Sequence, residues 1–169
     1  MTIKRVSKDD YYLGIAKEVA RRSTCFRRSI GAIIVRDDQI ISTGYVGAPR
    51  KTKSSHEHGF CLRDRLDVPH GERYELCRSV HAEQNAIINA ARAGVSLLGG
   101  NMYIYGTIFN EDKPINAFPC FICKKMIINA GLDRIICSTA KGGKKAFRVT
   151  RWAQEWTKAD ILDDKHQYG

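Results

Sequence analysis

The chain has 169 residues, with 28 Lys and Arg against 18 Asp and Glu, a formal net charge of +10, six Cys and 43% apolar residues. That length makes one ordinary globular domain over residues 1–169, able to bury roughly two-thirds of the surface its unfolded form exposes without disulfides or a partner. No run approaches the roughly 18 apolar residues of a membrane span, and the N-terminal Met-Thr-Ile-Lys-Arg leads into charge rather than a signal peptide's apolar stretch. A cytoplasmic protein with no membrane partner is therefore expected, and in that reducing compartment its cysteines point to metal ligation, reactivity or burial before disulfides.

Ser7 precedes Lys8, Asp9 and Asp10, and Tyr11, Ile15 and Val19 recur at i, i+4, i+8 with Tyr12, Ala16 and Ala20 beside them, predicting a capped amphipathic helix that ends near Ser23. Ile30–Val35 and Ile40–Tyr45 are β-branched runs separated by Arg36-Asp37-Asp38-Gln39, the length and composition of an antiparallel hairpin. From Gly47 to about Ser79 periodicity is lost, and a loop this long needs a function or a local staple. Residues 81–93 then read as a helix with Ala86, Ile87, Ala90 and Ala91 on its apolar face, 102–105 as a buried strand, 120–130 as a helix stopped by Gly131, and 134–137 as a short strand. Helix and strand alternating in this way imply a parallel crossover and an α/β domain whose helices cover a mixed sheet. Beyond it, Phe147–Trp152 suits an edge strand, while Trp152 and Trp156 at i, i+4 suit a helix equally well.

The chemistry concentrates in two helix starts, His81-Ala82-Glu83 and Pro119-Cys120-Phe121-Ile122-Cys123. Cys120 and Cys123 lie about one helical turn apart and can grip one tetrahedral ion. Pro119 sets the chain direction without an N–H that needs a partner, and the positive end of the helix favours the thiolates a metal requires. With His81 the set has three protein ligands, which leaves the fourth tetrahedral position to water, the pattern of a catalytic zinc rather than a structural one. Glu83 can enter the same pocket from the helix's first turn and move that water's proton. Paired as H-x-E and P-C-x-x-C, the two motifs form the known signature of zinc nucleobase deaminases.

Read with their surroundings, these motifs resemble the cytidine and deoxycytidylate deaminase superfamily, and within it the deoxycytidylate (dCMP) deaminase branch. The likeness is carried by Arg22–Val35, Gly44-Tyr-Val-Gly-Ala-Pro49, Gly71-Glu-Arg-Tyr-Glu-Leu-Cys77, His81-Ala-Glu-Gln-Asn-Ala-Ile-Ile88 and Pro119–Gly131, within a core of about 8–138 followed by a C-terminal extension, 139–169. It implies a three-layer α/β/α cytidine deaminase-like fold with a mixed central sheet. The implied reaction converts a cytosine deoxynucleotide, dCMP above all, to the uracil form plus ammonia, with a metal-activated water attacking ring carbon 4. Glu83 would protonate the ring nitrogen and then the leaving amine, and the backbone at Ala82 would orient the ring. A homo-oligomer is also implied, often a hexamer in this branch, where regulation by dCTP and dTTP occurs.

This sequence departs from the family pattern on the substrate side. Val46 stands where the branch usually has an Asn that contacts the nucleotide, and Tyr74 where it usually has a His on the phosphate side. Residues 106–118 make a longer link into Pro119 than is usual, and the Tyr-Pro-Asp stretch expected after the fourth strand is absent. Arg27 and Arg28 are candidates for phosphate contacts because guanidinium forks match phosphate oxygens. Some dCMP deaminases carry a second, structural zinc in this region. Cys25, Cys61 and Cys77, with His56 or His58 as the fourth ligand, would supply one here and would order the long loop. Cys137 is expected in the core.

Two other readings compete. The same chemistry could act on a different amine, such as a modified cytosine, a nucleoside or a base in RNA. Alternatively the charge of +10 and the Cys pairs could belong to a zinc-stapled nucleic-acid-binding module without catalysis. Against the module, the basic residues are scattered, as on a solvated surface, and the 9% of aromatic residues do not interleave with them as a stacking platform would.

Overall fold

The computed structural model describes residues 5–69 and 71–158, so the last eleven residues of the expected C-terminal extension lie outside the described residues. Five strands, β1 (Arg28–Arg36), β2 (Gln39–Tyr45), β3 (Asn101–Ile108), β4 (Arg134–Ser138) and β5 (Lys144–Arg148), form one sheet in the order β2-β1-β3-β4-β5. β1 pairs antiparallel with both β2 and β3, β3 with β4 parallel, and β4 with β5 antiparallel. The sheet is mixed, as the alternation of elements implied. The turn between β1 and β2 is the two residues Asp37 and Asp38, both at positive φ (51° and 63°), which matches the right-handed twist of the strands it joins.

Alternation along the strands divides the core into two. Ile33, Val35, Tyr103 and Ile136 face α1 (Lys8–Ala20), which packs through Tyr12, Leu13 and Ala16. Ala32, Ile34, Met102, Ile104 and Ile135 face the opposite way, onto α4 (Ala82–Arg92) and α5 (Phe121–Asn129). The result is the three-layer α/β/α arrangement. Ser7 caps α1 by accepting from the Asp10 N–H at 3.2 Å, a contact worth about 1 kcal/mol. The buried stripe of α1 differs from the predicted one: Tyr12, Leu13, Ala16 and Ala20 are buried, Ile15 and Val19 flank them, and Tyr11 is 57% exposed. On α4 the inward residues are Ala82, Glu83, Ala86 and Ala90, while Ala91 faces out.

The stretch after β2 is more ordered than its composition suggests. It contains two single-turn helices, α2 (Ser55–His58) and α3 (Leu62–Arg65), and a 3-10 turn at Tyr74–Leu76. Its ends are pinned to each other, because Gly47 and Val80 exchange main-chain hydrogen bonds of 3.2 and 2.8 Å. Residues 106–118 begin as the last part of β3 and double back: the Ile115 N–H donates to the Gly106 carbonyl at 3.0 Å and the Ala117 N–H to the Ser138 carbonyl at 3.1 Å. This return delivers the chain to Pro119 at the end of the sheet. In the C-terminal region the helical reading holds and the strand reading is corrected: of Phe147–Trp152 only the first two residues are strand. β5 ends at Arg148, and α6 (Val149–Lys158) follows at once because Trp152 is buried and Trp156 packs on Phe121 from one helix face. No helix among the described residues is long and apolar enough to cross a membrane.

Gly44 decides how α4 sits on the sheet. A Cβ there would lie 2.3 Å from both the Ala82 carbonyl oxygen and the Ala86 amide nitrogen, so the helix backbone rests directly on β2. Side chains secure the contact: Ser42 donates to the Ala86 carbonyl at 2.6 Å, Asn85 to the Tyr45 carbonyl at 2.8 Å and Asn89 to the Thr43 carbonyl at 2.7 Å. Gly44→Ala is therefore expected to destabilise the fold by about 1–3 kcal/mol and to weaken zinc retention by tilting the first turn of α4. Gly14→Ala, in mid-helix with open space around it, should instead stabilise by about 0.5–1 kcal/mol. Denaturant midpoints and zinc content of the two variants check this, and an unperturbed Gly44→Ala protein would contradict the close packing.

Candidate active site

His81 and Cys120 occupy the same position in their respective helices, the cap residue just before the first turn. Gln84 reaches back to accept from the His81 backbone N–H at 3.0 Å, which fixes the direction in which the imidazole leaves the chain. Pro119 precedes Cys120, and Cys123 follows in the first turn of α5, fully buried. His81 Nδ1 lies 3.4 Å from Cys120 Sγ and 3.3 Å from Cys123 Sγ. A tetrahedral zinc with bonds of about 2.05 Å to nitrogen and 2.3 Å to sulfur would hold such atoms about 3.5 Å apart. The spacing fits the ion, and the soft donor set suits it. Among the described residues this is the one group of three His, Cys, Asp or Glu side chains whose donor atoms all lie within 4.8 Å of one another.

The electrostatics also favour a metal. A hydrogen bond from Cys123, with the His81 imidazole beside it, brings the Cys120 thiol down to about 4, the direction that favours the thiolate a metal needs. Cys123, as donor to Cys120 and buried, is pushed well above the ordinary thiol range. Burial alone would lower His81, but Cys120 and Glu83 at its side raise it on balance. Glu83 is only 5% exposed, and burial raises its carboxyl above the usual carboxylate range. The shift favours the protonated form, the direction that suits a group carrying a proton.

These groups open onto one pocket, whose wall includes His81, Ala82, Glu83 and Cys120. All five residues expected to contact substrate, Arg27, Arg28, Val46, Tyr74 and Ala82, line it too. Their states differ from the simplest expectation. Arg27 is engaged by Asp64, its Nε donating to Oδ1 at 2.7 Å, so its charge is already balanced. Val46 is buried, its N–H given to the Ile30 carbonyl and its carbonyl accepting from Thr24, both at 3.0 Å. The Tyr74 ring stands edge-on to the His81 imidazole, centroids 5.1 Å apart. The pocket also contains a residue the sequence reading did not single out, Arg63, which is buried despite sitting in a charge-rich stretch with Arg65. Nothing in their spacing tells which of the two turns inward.

The other metal candidates are neighbours without converging. Cys25, Cys61 and Cys77 share the pocket wall, and Cys25 Sγ accepts from the Arg27 N–H at 3.4 Å, but no three of the proposed ligands draw together as His81, Cys120 and Cys123 do. His56 is held between Phe26 and Phe109, at ring distances of 4.8 and 5.1 Å, while His58 packs on Phe60. Cys137 is fully buried in the core, as expected.

A soft three-donor corner facing a pocket, with a buried carboxyl beside it, has the composition of a catalytic metal site rather than a closed structural one. The family model described as the cytidine and deoxycytidylate deaminase zinc-binding region matches residues 6–139, and the chain belongs to that family. It is 32% identical over 136 residues to the deoxycytidylate deaminase of Schizosaccharomyces pombe, covering 80% of this chain and 38% of that protein. To the deoxycytidylate deaminase of Mycobacterium phage D29 it is 33% identical over 140 residues, covering 79% of this chain and 96% of that one. The chain thus spans about two-fifths of the yeast relative and nearly all of the phage relative. In fold it is similar to the crystal structure of the dCMP deaminase of cyanophage S-TIM5, with a TM-score of 0.58 at 23% identity over 80% of this chain and 86% of that one.

His81→Ala and Cys123→Ala are each expected to lose one equivalent of zinc relative to the parent protein and to melt at a lower temperature. Elemental analysis with calorimetry reads both effects, and full zinc content in either variant would place the ion elsewhere.

Proposed function

We propose that the chain is a zinc-dependent deaminase that hydrolyses the exocyclic amine of a cytosine deoxynucleotide, dCMP first among them, to give the uracil form and ammonia. The observation that carries this reading is the meeting of His81, Cys120 and Cys123 at one corner of a pocket that also holds the buried Glu83. Relatives named deoxycytidylate deaminase support the choice of substrate.

His81, Cys120 and Cys123 would hold the zinc, which when bound supplies Lewis acidity able to bring a water's pKa from 15.7 toward roughly 7. The remaining work falls to the chain itself. Glu83 takes one proton from the attacking water and gives it to the ring nitrogen beside carbon 4. It then takes the second proton from the hydroxyl now on carbon 4 and gives it to the amine, which leaves as the carbon–nitrogen bond breaks. Ala82, the first residue of α4, lines the pocket with its backbone at a helix end where N–H groups lack intrahelical partners, and presents one to the pyrimidine. Tyr74 and Val46 shape the pocket near the metal corner. Val46 cannot replace the hydrogen bonds an amide would make, at a cost of roughly 1–3 kcal/mol for a ligand group left unpaired. These two residues favour testing a widened range of amines. The reading also includes a homo-oligomer and a cytoplasmic location, the latter supported by cysteines assigned to metal and core.

Glu83→Gln should keep its zinc and its melting temperature while turnover falls by about 10²–10⁴-fold. The assay is ammonia release and loss of the cytosine absorbance with dCMP, CMP, deoxycytidine, dCTP and free cytosine. An active Glu83→Gln protein would refute the proton shuttle, and silence toward the whole panel would refute the reaction.

A second, structural zinc held by Cys25, His56, Cys61 and Cys77 belongs to the same reading. In its support, Cys25 Sγ accepts a backbone N–H, the three cysteines share one wall, and His56 Nε2 is buried without a hydrogen-bond partner among the described residues. That orphan nitrogen favours His56 over His58. Two zinc equivalents are expected in the purified protein, with Cys77→Ala losing one and retaining the His81 site; a single equivalent in the parent would rule the second ion out.

A further inference from the structure

The guanidinium of Arg63 is a buried cation in the wall of the active-site pocket, and its position calls for an anion. The residue is 4% exposed, on α3, and lines the same pocket as His81 and Glu83. One terminal nitrogen donates to the Pro69 carbonyl at 3.0 Å, and its carbon stands 4.8 Å from the centroid of the Tyr74 ring. These contacts orient the fork without neutralising it. No carboxylate among the described residues lies within 4.0 Å of it, and its Nε is buried with no hydrogen-bond partner. Two acidic residues of the same stretch are already paired, Asp64 with Arg27 and Glu75 with Arg73.

Leaving a buried charge unpaired is costly, and an arginine fork is suited to a group that presents two oxygens in one plane. Tyr74 is a neighbour of both this cation and the metal corner, its ring centre lying 5.1 Å from that of His81 and 4.8 Å from the Arg63 guanidinium carbon. That carbon is therefore no farther than about 10 Å from the centre of the His81 ring, near enough for one pyrimidine 5′-nucleotide to reach both.

We infer that Arg63 receives the phosphate of the substrate and makes the pocket select a nucleotide over the corresponding nucleoside. This rests on the reading of the pocket as a cytosine-nucleotide site and assigns its phosphate end to a residue other than Arg27, whose charge Asp64 balances. Tyr74 holds the fork in plane between the two ends of the ligand.

The test uses the zinc-loaded full chain and its Arg63→Gln and Arg63→Lys variants. Calorimetric titration with inorganic phosphate, dUMP and deoxyuridine reads binding, and KM for dCMP and deoxycytidine reads selection during turnover. Arg63→Gln should weaken binding of phosphate and dUMP by about 10- to 100-fold and raise KM for dCMP by a similar factor, with deoxyuridine and deoxycytidine unchanged; Arg63→Lys should recover part of the loss. A purely structural arginine would instead lower the melting temperature and weaken nucleotide and nucleoside alike. That outcome, or a parent protein that binds dUMP no better than deoxyuridine, would overturn the inference. Should the ammonia assay be silent on every cytosine compound, the reaction falls, while the phosphate titration still decides whether Arg63 binds an anion.

Discussion

The backbone of α4 lies directly against β2 at Gly44, and the geometry of the metal corner depends on that contact. His81 caps α4 and Cys120 caps α5, and the two helices cover the same face of the sheet. Their starting points can meet only if each helix is held at a fixed height and tilt. On the α4 side this is achieved by removing a side chain at Gly44 and by tying the helix to the edge strand with Ser42, Asn85 and Asn89. On the α5 side it follows from the parallel pairing of β3 with β4, which forces the chain to cross over the sheet between them and begin its helix beyond the end of β3. The folded-back segment 106–118, held by Ser138, sets where that crossover begins.

Bringing an imidazole, two sulfurs and a carboxyl together in a buried corner costs desolvation energy, and these groups share protons to reduce it. The Cys120 thiol is lowered while that of Cys123 is raised, His81 is raised by Cys120 and Glu83 against the opposing effect of burial, and burial raises Glu83. A divalent ion held by His81, Cys120 and Cys123 would resolve the arrangement by favouring both sulfurs as thiolates, which would link metal uptake to folding of the corner. Glu83 stays apart from the ligand set, in a position to trade protons with whatever occupies the pocket.

Much of this was legible in the sequence because the signals were local. The hairpin could be read from Arg36-Asp37-Asp38-Gln39, and the two helix starts that meet at the candidate site from His81-x-Glu83 and Pro119-Cys120-x-x-Cys123, where spacing along one helix turn is the geometry itself. The parallel crossover followed from alternation of helix and strand. What sequence obscured depends on contacts between distant segments. The inward stripe of α1 was misplaced by one residue because Tyr11 and Tyr12 are equally apolar, and only packing against Ile33 and Tyr103 selects the second. The pairing of Arg27 with Asp64, and the burial of Arg63 between Pro69 and Tyr74, arise from a segment whose composition carries no periodicity. Val46 and Tyr74 could be recognised as unusual from the sequence, and the structure adds that both border the pocket.

The small main-chain bridge between Gly47 and Val80 has a wider consequence. By fastening both ends of the excursion that carries α2 and α3, it fixes where the pocket wall formed by Arg63 and Tyr74 begins and ends relative to His81. Lengthening a flexible connection between fixed points costs little, about 0.6 kcal/mol for each doubling. The outward stretches of the excursion can therefore change length at little cost, while Cys61, Arg63, Tyr74 and Cys77 stay fixed in the pocket wall. The metal corner and much of the wall facing it thus come from different stretches of the chain that one short bridge holds in register.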